Sequence, residues 1–171
     1  LKNDTVLVAR DGLERLISDS AAPILDQNKQ VLGAVFVFRD VTTEYQMRRE
    51  LVEAKERYDQ LAFFTRTVSW EVNPDGMYTF ISPTAAEVYG YTPKEIENKK
   101  YFFDLHPPEG REAFKKNCFE AILRKEVFRD FPNPIQKKDG SVIWVTTNAF
   151  PILDKDGTLL GYRGVDTDIT D

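Results

Sequence analysis

The feature that most constrains this chain is an internal repeat. Residues 11–42 align without a gap on residues 139–170 at a constant offset of 128, and 12 of 32 positions are identical. The matched landmarks are Asp11-Gly12 with Asp139-Gly140, the Pro-Ile-Leu-Asp runs ending at Asp26 and Asp154, Gly33 with Gly161, and the Asp-Val/Ile-Thr runs ending at Thr42 and Thr170. Most are turn and strand-end residues. An Asp-Gly pair supplies the left-handed position that opens a hairpin, and Asp156-Gly157 opens the next one. Between these turns, residues 141–153 and 158–168 read as two long antiparallel strands, mirrored by 13–25 and 30–40. In the second copy one strand parity holds Trp144, Thr146, Asn148 and Phe150, and the other holds Val145, Thr147 and Ala149. With apolar groups on both faces, such a sheet requires helices on one side and another element on the other.

Only the second copy has a full complement of elements upstream. Val68, Trp70 and Val72 alternate along one strand, Asp75-Gly76 turns it, and residues 77–81 return. Ser82-Pro83 reads as a helix start with Gly90 as its stop, and Thr92-Pro93 with Glu95 as a second start of capping-box type. A longer helix over 109–125 sets Phe114, Cys118, Ala121 and Ile122 on one face. Residues 43–64 contain neither Pro nor Gly and read as one linking helix. Met47, Leu51, Ala54, Tyr58 and Leu61 recur along it at steps of four and three, the seam of a coiled coil about two heptads long. With Leu51 and Tyr58 at the a positions, Glu50 faces Lys55 of a parallel partner, which predicts a homodimer through this helix. An amphipathic helix packed on its own domain accounts for the same spacing.

Composition narrows the function classes. A hydrophobic content of 42% with 12% aromatic residues supplies a core. The 23 basic against 28 acidic residues give a net charge of −5, which offers no basic field to nucleic acid or anionic lipid. The longest apolar stretch, residues 31–38, is strand-sized and far short of the ~20 residues of a membrane span. Cys118 is the single cysteine, so no internal disulfide or multi-cysteine metal site forms, which fits a reducing compartment and a cytoplasmic location. The chain opens without methionine and reads as a piece of a longer protein, one that can carry a membrane anchor or catalytic domain elsewhere.

The order strand, strand, short helices, long helix, three strands, ending in Asp-Ile-Thr, resembles the PAS fold with its C-terminal PAC half. The residues that carry the likeness are Ser69-Trp70-Glu71, Ser82-Pro83, Gly90-Tyr91-Thr92-Pro93, the run from Asp104 to Pro107, Asp139-Gly140, Trp144-Val145, Pro151, Gly161 and the run from Asp168 to Thr170. The resemblance implies an α+β fold whose five-stranded antiparallel sheet has helices on one face, preceded by a linker helix and a partial second PAS sheet. It divides the chain into the closing strands of an incomplete first copy (1–42, with residues 5–9 as an extra strand), a linker (43–64) and a complete PAS/PAC domain (65–171). PAS domains sense a small molecule, redox state or light and relay the change through flanking helices. Typical outputs are histidine kinases in two-component systems, diguanylate cyclases and chemoreceptors, and the fold does not choose among them.

Candidate residues follow from this frame. Carried over by strand parity, the inward residues of ligand-binding relatives become Trp70, Val72, Phe80, Phe114, Cys118, Ile122, Val145, Thr147, Tyr162 and Asp166. Ordinary core packing requires the same set, so a ligand pocket and a filled dimerisation scaffold both remain open. Asp166, if inward, needs a partner among Thr147, Tyr162, a backbone amide, water or a ligand. Asp40, Thr42, Asp168 and Thr170 stand where a last strand hands over to an outgoing helix and are the expected relay and capping positions. The ligand is not legible. Haem is disfavoured because His106, the single histidine, sits in a His-Pro turn, and a photoreactive flavin because Asn117-Cys118-Phe119-Glu120 departs from the Asn-Cys-Arg-Phe-Leu-Gln run of flavin-binding relatives. The acid pairs Asp154/Asp156 and Asp166/Asp168 read as turn and strand-end residues. With no nucleophile-base pair, zinc spacing, phosphate loop or kinase signature, the sequence predicts no catalysis and no metal within this window. The partial first sheet would leave a face carrying Ile17, Ala21, Phe36 and Phe38 uncovered, a second reason to expect self-association.

Overall fold

The computed structural model describes Thr5 to Thr170. The chain divides into two compact units whose boundary falls inside one helix, between Arg57 and Tyr58. The first unit is an antiparallel meander of β1 (Thr5–Val8), β2 (Glu14–Leu25) and β3 (Val31–Asp40), in that spatial order, followed by helix α1 (Thr42–Phe64). The second begins in the last turns of α1. It continues through β4 (Thr67–Val72), β5 (Tyr78–Ile81), α2 (Ala85–Val88), α3 (Pro93–Ile96), a 3-10 turn (Phe102–Leu105), α4 (Arg111–Leu123), β6 (Phe128–Gln136), β7 (Val142–Leu153) and β8 (Leu159–Asp168). Its five strands lie in the order β5-β4-β8-β7-β6, all antiparallel.

The repeat holds at the level of register. Ile17 opposes Asp40 as Val145 opposes Asp168, and both hairpins carry an irregularity at the same place, Ile24/Leu25 and Ile152/Leu153. The offset extends to the third strand: Thr5 opposes Ile17 and Leu7 opposes Arg15, as Asn133 opposes Val145 and Ile135 opposes Ile143. The same hydrogen bonds close both ends. Thr42 donates its backbone N–H to the Asp40 carboxylate at 3.0 Å, and its hydroxyl accepts the Leu16 N–H at 2.9 Å. In the second copy Thr170 N–H reaches Asp168 at 2.9 Å, and the Thr170 hydroxyl accepts the Trp144 N–H at 3.0 Å. The carboxylates thus cap free amides beyond the strand, while each threonine ties the exit to the neighbouring strand.

In the second unit, Val68, Trp70 and Val72 of β4 and Ile143, Val145, Thr147 and Ala149 of β7 face the helices and are buried. The opposite parity of β7, with Val142, Trp144 and Phe150, is exposed, so the helices of this unit cover one face and none of its described elements buries the other. Strand β6 tolerates Pro132 and Pro134 because it lies at the sheet edge, where a missing N–H costs no ladder bond. The helix starts divide. Glu95 accepts both the N–H and the hydroxyl of Thr92, at 3.0 and 2.9 Å, with Pro93 in the first helical position. Ser82, expected as a cap, is not one: α2 begins at Ala85, and the Ser82 hydroxyl accepts the Ser69 N–H at 3.1 Å, fastening the turn to β4.

The repeated glycines are unequal. Gly161 has a φ of 150°, and a Cβ there would stand 2.1 Å from the Val72 carbonyl oxygen, whereas at Gly33 it would meet only Ile24 Cδ1 at 3.9 Å. Backbone cannot yield as a side chain can. Gly161→Ala should therefore cost about 2–3 kcal/mol in denaturant titration, and Gly33→Ala no more than about 0.5 kcal/mol. Equal costs would show that β8 does not need this close approach to β4.

Candidate functional site

Between the sheet and α4 lies a cavity of about 60 Å³. Its floor comes from Trp70 and Val72 of β4, Thr147 and Ala149 of β7, and Tyr162 and Asp166 of β8. Its roof and sides come from Phe114, Cys118 and Ile122 of α4, Phe128, Phe131, Asn133 and Ile135 of β6, Tyr78 of β5 and Phe102 of the 3-10 turn. The rings pack edge to face, as with Trp70 on Tyr78 at 6.3 Å and Phe128 on Tyr162 at 5.8 Å. Trp70 can lie across β8 because Gly164 is opposite it: a Cβ at 164 would come within 2.7 Å of both the indole and Ala149.

The polar groups of this apolar box form one connected cluster. Asn133 donates its amide N–H to Thr147 at 2.7 Å, and the Thr147 hydroxyl donates to one Asp166 oxygen at 2.7 Å. The hydroxyl of Tyr89, just beyond α2, donates to the other at 2.7 Å. Asp166 is 4% exposed and faces no cation, so burial pushes its carboxyl above the ordinary range while the hydrogen bonds from Thr147 and Tyr89 pull it back. Burial, and then the Asp166 charge, push the Tyr89 and Tyr78 phenols well above theirs. The Trp70 indole N–H reaches toward Asp166, which it helps hold down, but makes no hydrogen bond of normal geometry. Among the described residues it is the one buried side-chain polar atom without a partner.

Eight of the ten residues expected from strand parity line this cavity, and two do not. Phe80 is 44% exposed and faces away. Strand β5 has a register irregularity: Phe80 opposes Glu71 while Tyr78, not Thr79, opposes Val72, so parity inverts within the strand and Tyr78 takes the inward place. Val145 is inward and fully buried, but it packs in the solid core one step along β7 from the cavity. Tyr162 lines the wall, yet its hydroxyl donates to the Glu126 carbonyl at 3.0 Å rather than to Asp166. The sequence reading missed the contribution of β6, although Phe131, Asn133 and Ile135 recur with period two. It missed Tyr89 because nothing local links it to a carboxylate 77 positions away. Burial raises the Cys118 thiol to about 12, so it stays a protonated wall residue. His106 lies outside the cavity, stacked on Phe114 at 4.4 Å with Nδ1 2.8 Å from the Pro107 carbonyl. Among the described residues no group of three or more His, Cys, Asp or Glu side chains could hold a metal ion.

The family model of the PAS domain matches residues 66–171. The chain belongs to the PAS domain family. The PAS domain of a Colwellia psychrerythraea protein superimposes with a TM-score of 0.57 at 20% identity, covering 68% of this chain and 97% of that one. The N-terminal domain of a diguanylate cyclase with PAS/PAC sensor from Marinobacter aquaeolei gives 0.54 at 17% identity, covering 61% and 95%. In sequence, the bacterioopsin transcriptional activator of Halobacterium salinarum is 26% identical over 161 residues, 90% of this chain and 23% of that protein. The uncharacterized protein y4lL of Sinorhizobium fredii is 24% identical over 166 residues, 96% and 20% respectively. The chain therefore spans about a fifth to a quarter of these relatives.

The buried carboxylate gives this PAS domain a pH signature. A carboxyl raised above its unfolded value of 3.8 contributes most favourably while protonated in both states, and that contribution is lost as pH rises through the folded pKa. Asp166→Asn keeps the shape and removes the titration. Denaturation of both proteins from about pH 4 to about pH 8 should show the variant gaining on the wild type as pH rises. A constant difference would mean that Asp166 titrates normally in the fold.

Proposed function

We propose that this PAS domain is a sensory and relay module that binds a small ligand in the cavity over Trp70 and passes the change to an output domain outside the chain. The observation that carries the reading is the placement of two aspartates on one strand. Asp166 stands in the cavity wall, and two residues later Asp168 pairs with Arg66 at 2.6 Å, Arg66 being at the junction of α1 and β4. A ligand that favours one setting of β8 therefore biases the end of α1 through a short, charge-assisted contact. The proposed division is 1–42, 43–64 and 65–171, with α1 as the relay between copies. Output is by a cyclase, the reading that the PAS/PAC sensor of the diguanylate cyclase neighbour supports, or by a kinase, in either case outside this chain and in a protein we place in the cytoplasm. No helix among the described residues is long and apolar enough to cross a membrane.

A second reading, a constitutive dimerisation scaffold, is favoured by α1 itself. Met47, Leu51, Tyr58 and Leu61 are exposed along the heptad seam, Leu51 at 71%, and such a stripe is buried most simply against a second copy. Native mass spectrometry with an absorption spectrum separates the two. The sensor predicts a bound mass that is lost when Ala149→Leu fills the cavity; a bare polypeptide in every wild-type preparation would favour the scaffold. Sedimentation equilibrium at micromolar concentration should give a dimer that Leu51→Glu with Leu61→Glu converts to monomer. A monomer whose mass the substitutions leave unchanged would place the seam within its own chain.

A further inference from the structure

Resting on the reading of the cavity as a ligand site, we infer that its ligand class is a small neutral hydroxyl compound, a short alkanol or similar, whose oxygen bridges the Trp70 indole N–H and the Asp166 carboxylate. Two unmet demands converge in one place. Trp70 is 9% exposed, and its N–H, a donor with no acceptor capacity, reaches toward Asp166 but makes no hydrogen bond of normal geometry. An unmade buried hydrogen bond is costly, so whatever enters beside Trp70 gains by bringing an acceptor. Asp166 already receives one hydrogen bond on each oxygen, from Thr147 and Tyr89, yet a carboxylate can accept about four. With no cation in the wall, a further donor stabilises the ionised form that burial disfavours. One hydroxyl oxygen meets both demands, accepting from the indole and donating to the carboxylate.

Charge and size narrow the class further. A carboxylate or phosphate ligand would face Asp166 with no lysine or arginine in the lining. The volume of about 60 Å³ is less than half that of the ~150 Å³ cavity that admits benzene, so the site suits a few heavy atoms. The remaining wall, including Val72, Ile122, Ile135 and Ala149, is apolar and matches an alkyl body. A ketone of the same shape satisfies the indole but brings the carboxylate no further donor, and a built polar site discriminates against the analogue that lacks the donor.

The chain has only two tryptophans, so its nitrogen-15 spectrum has two indole signals, which Trp144→Phe assigns. Isopropanol and acetone are titrated into the intact chain while those signals and the methyls of Ile122 and Ala149 are followed. Isopropanol should shift the Trp70 N–H downfield and saturably, leave Trp144 in place, and bind at least about tenfold more tightly than acetone. Trp70→Phe should weaken isopropanol binding read at the methyls without changing that of acetone by more. Methyl shifts that saturate equally for both probes, with the Trp70 N–H unmoved, would overturn the hydroxyl class and leave the cavity as a ligand site. No response at the methyls to either probe would overturn the cavity reading as well. A Trp70 N–H held by a slowly exchanging water that isopropanol does not displace would assign the position to solvent.

Discussion

The pairing of β4 with β8 is the contact on which the second unit depends. It joins residues about a hundred positions apart: Thr67 and Thr167 share a hydroxyl hydrogen bond of 3.0 Å at a separation of 100. Closing a loop of that length costs chain entropy that local contacts do not repay, and a lone β4–β5 hairpin is marginal in water. Once β4 is seated, α2, α3 and α4 have a sheet to cover, and Trp70 reaches the strand that carries Asp166. The seat is made by absence. Gly161 lets the Val72 carbonyl approach, and Gly164 leaves room for the indole, so two missing side chains set how closely the first strand of the domain can lie on its last.

That pairing also makes the cavity polar at one point and apolar elsewhere. Thr147 of β7 opposes Asp166 of β8, and Asn133 of β6 reaches Thr147 from the diagonal position, so their hydrogen bonds run across the sheet, and Tyr89 joins them from the helical layer. A buried carboxylate held by two hydroxyls and no cation is expensive in a core that could have been filled with leucine. The expense is local, at a position that faces the cavity and where the same strand, two residues on, meets Arg66.

The sequence made some of this legible and hid the rest for physical reasons. The repeat carried the hairpin β7–β8, its turns and its Asp-x-Thr exit, because Asp-Gly and Asp-x-Thr encode backbone geometry locally. Strand parity brought out Trp70, Thr147 and Asp166, since period two holds along a regular strand. It failed at Phe80 because the irregularity in β5 leaves no mark in Tyr78-Thr79-Phe80-Ile81, an unbroken apolar and β-branched run. The cover on the outer face of the sheet was inferred from Trp144 and Phe150, but singly exposed aromatics need no cover of their own. Tyr89 and the β6 wall are tertiary facts, set by how the layers close.

Comparing the two copies separates frame from chemistry. Position for position, register, bulge and exit turn agree, yet none of the polar-cluster residues on these strands is repeated: Asp19 stands for Thr147 and Thr5 for Asn133. Phe36 stands where Gly164 seats the indole, Phe38 where Asp166 accepts its hydrogen bonds, and Ala34 where Tyr162 forms the wall. Phe36 and Phe38 stack at 6.3 Å and are 61% and 60% exposed. A phenyl ring at 38 has no atom to accept a hydroxyl, and one at 36 fills the space that a glycine keeps open for tryptophan. Most of the identical residues stand at turns and strand ends; of the cavity lining, Ala149 alone is matched, by Ala21. One frame thus carries a hydrogen-bonded pocket in one copy and a bare aromatic face in the other. The site chemistry is a property of a handful of inward side chains rather than of the fold that presents them.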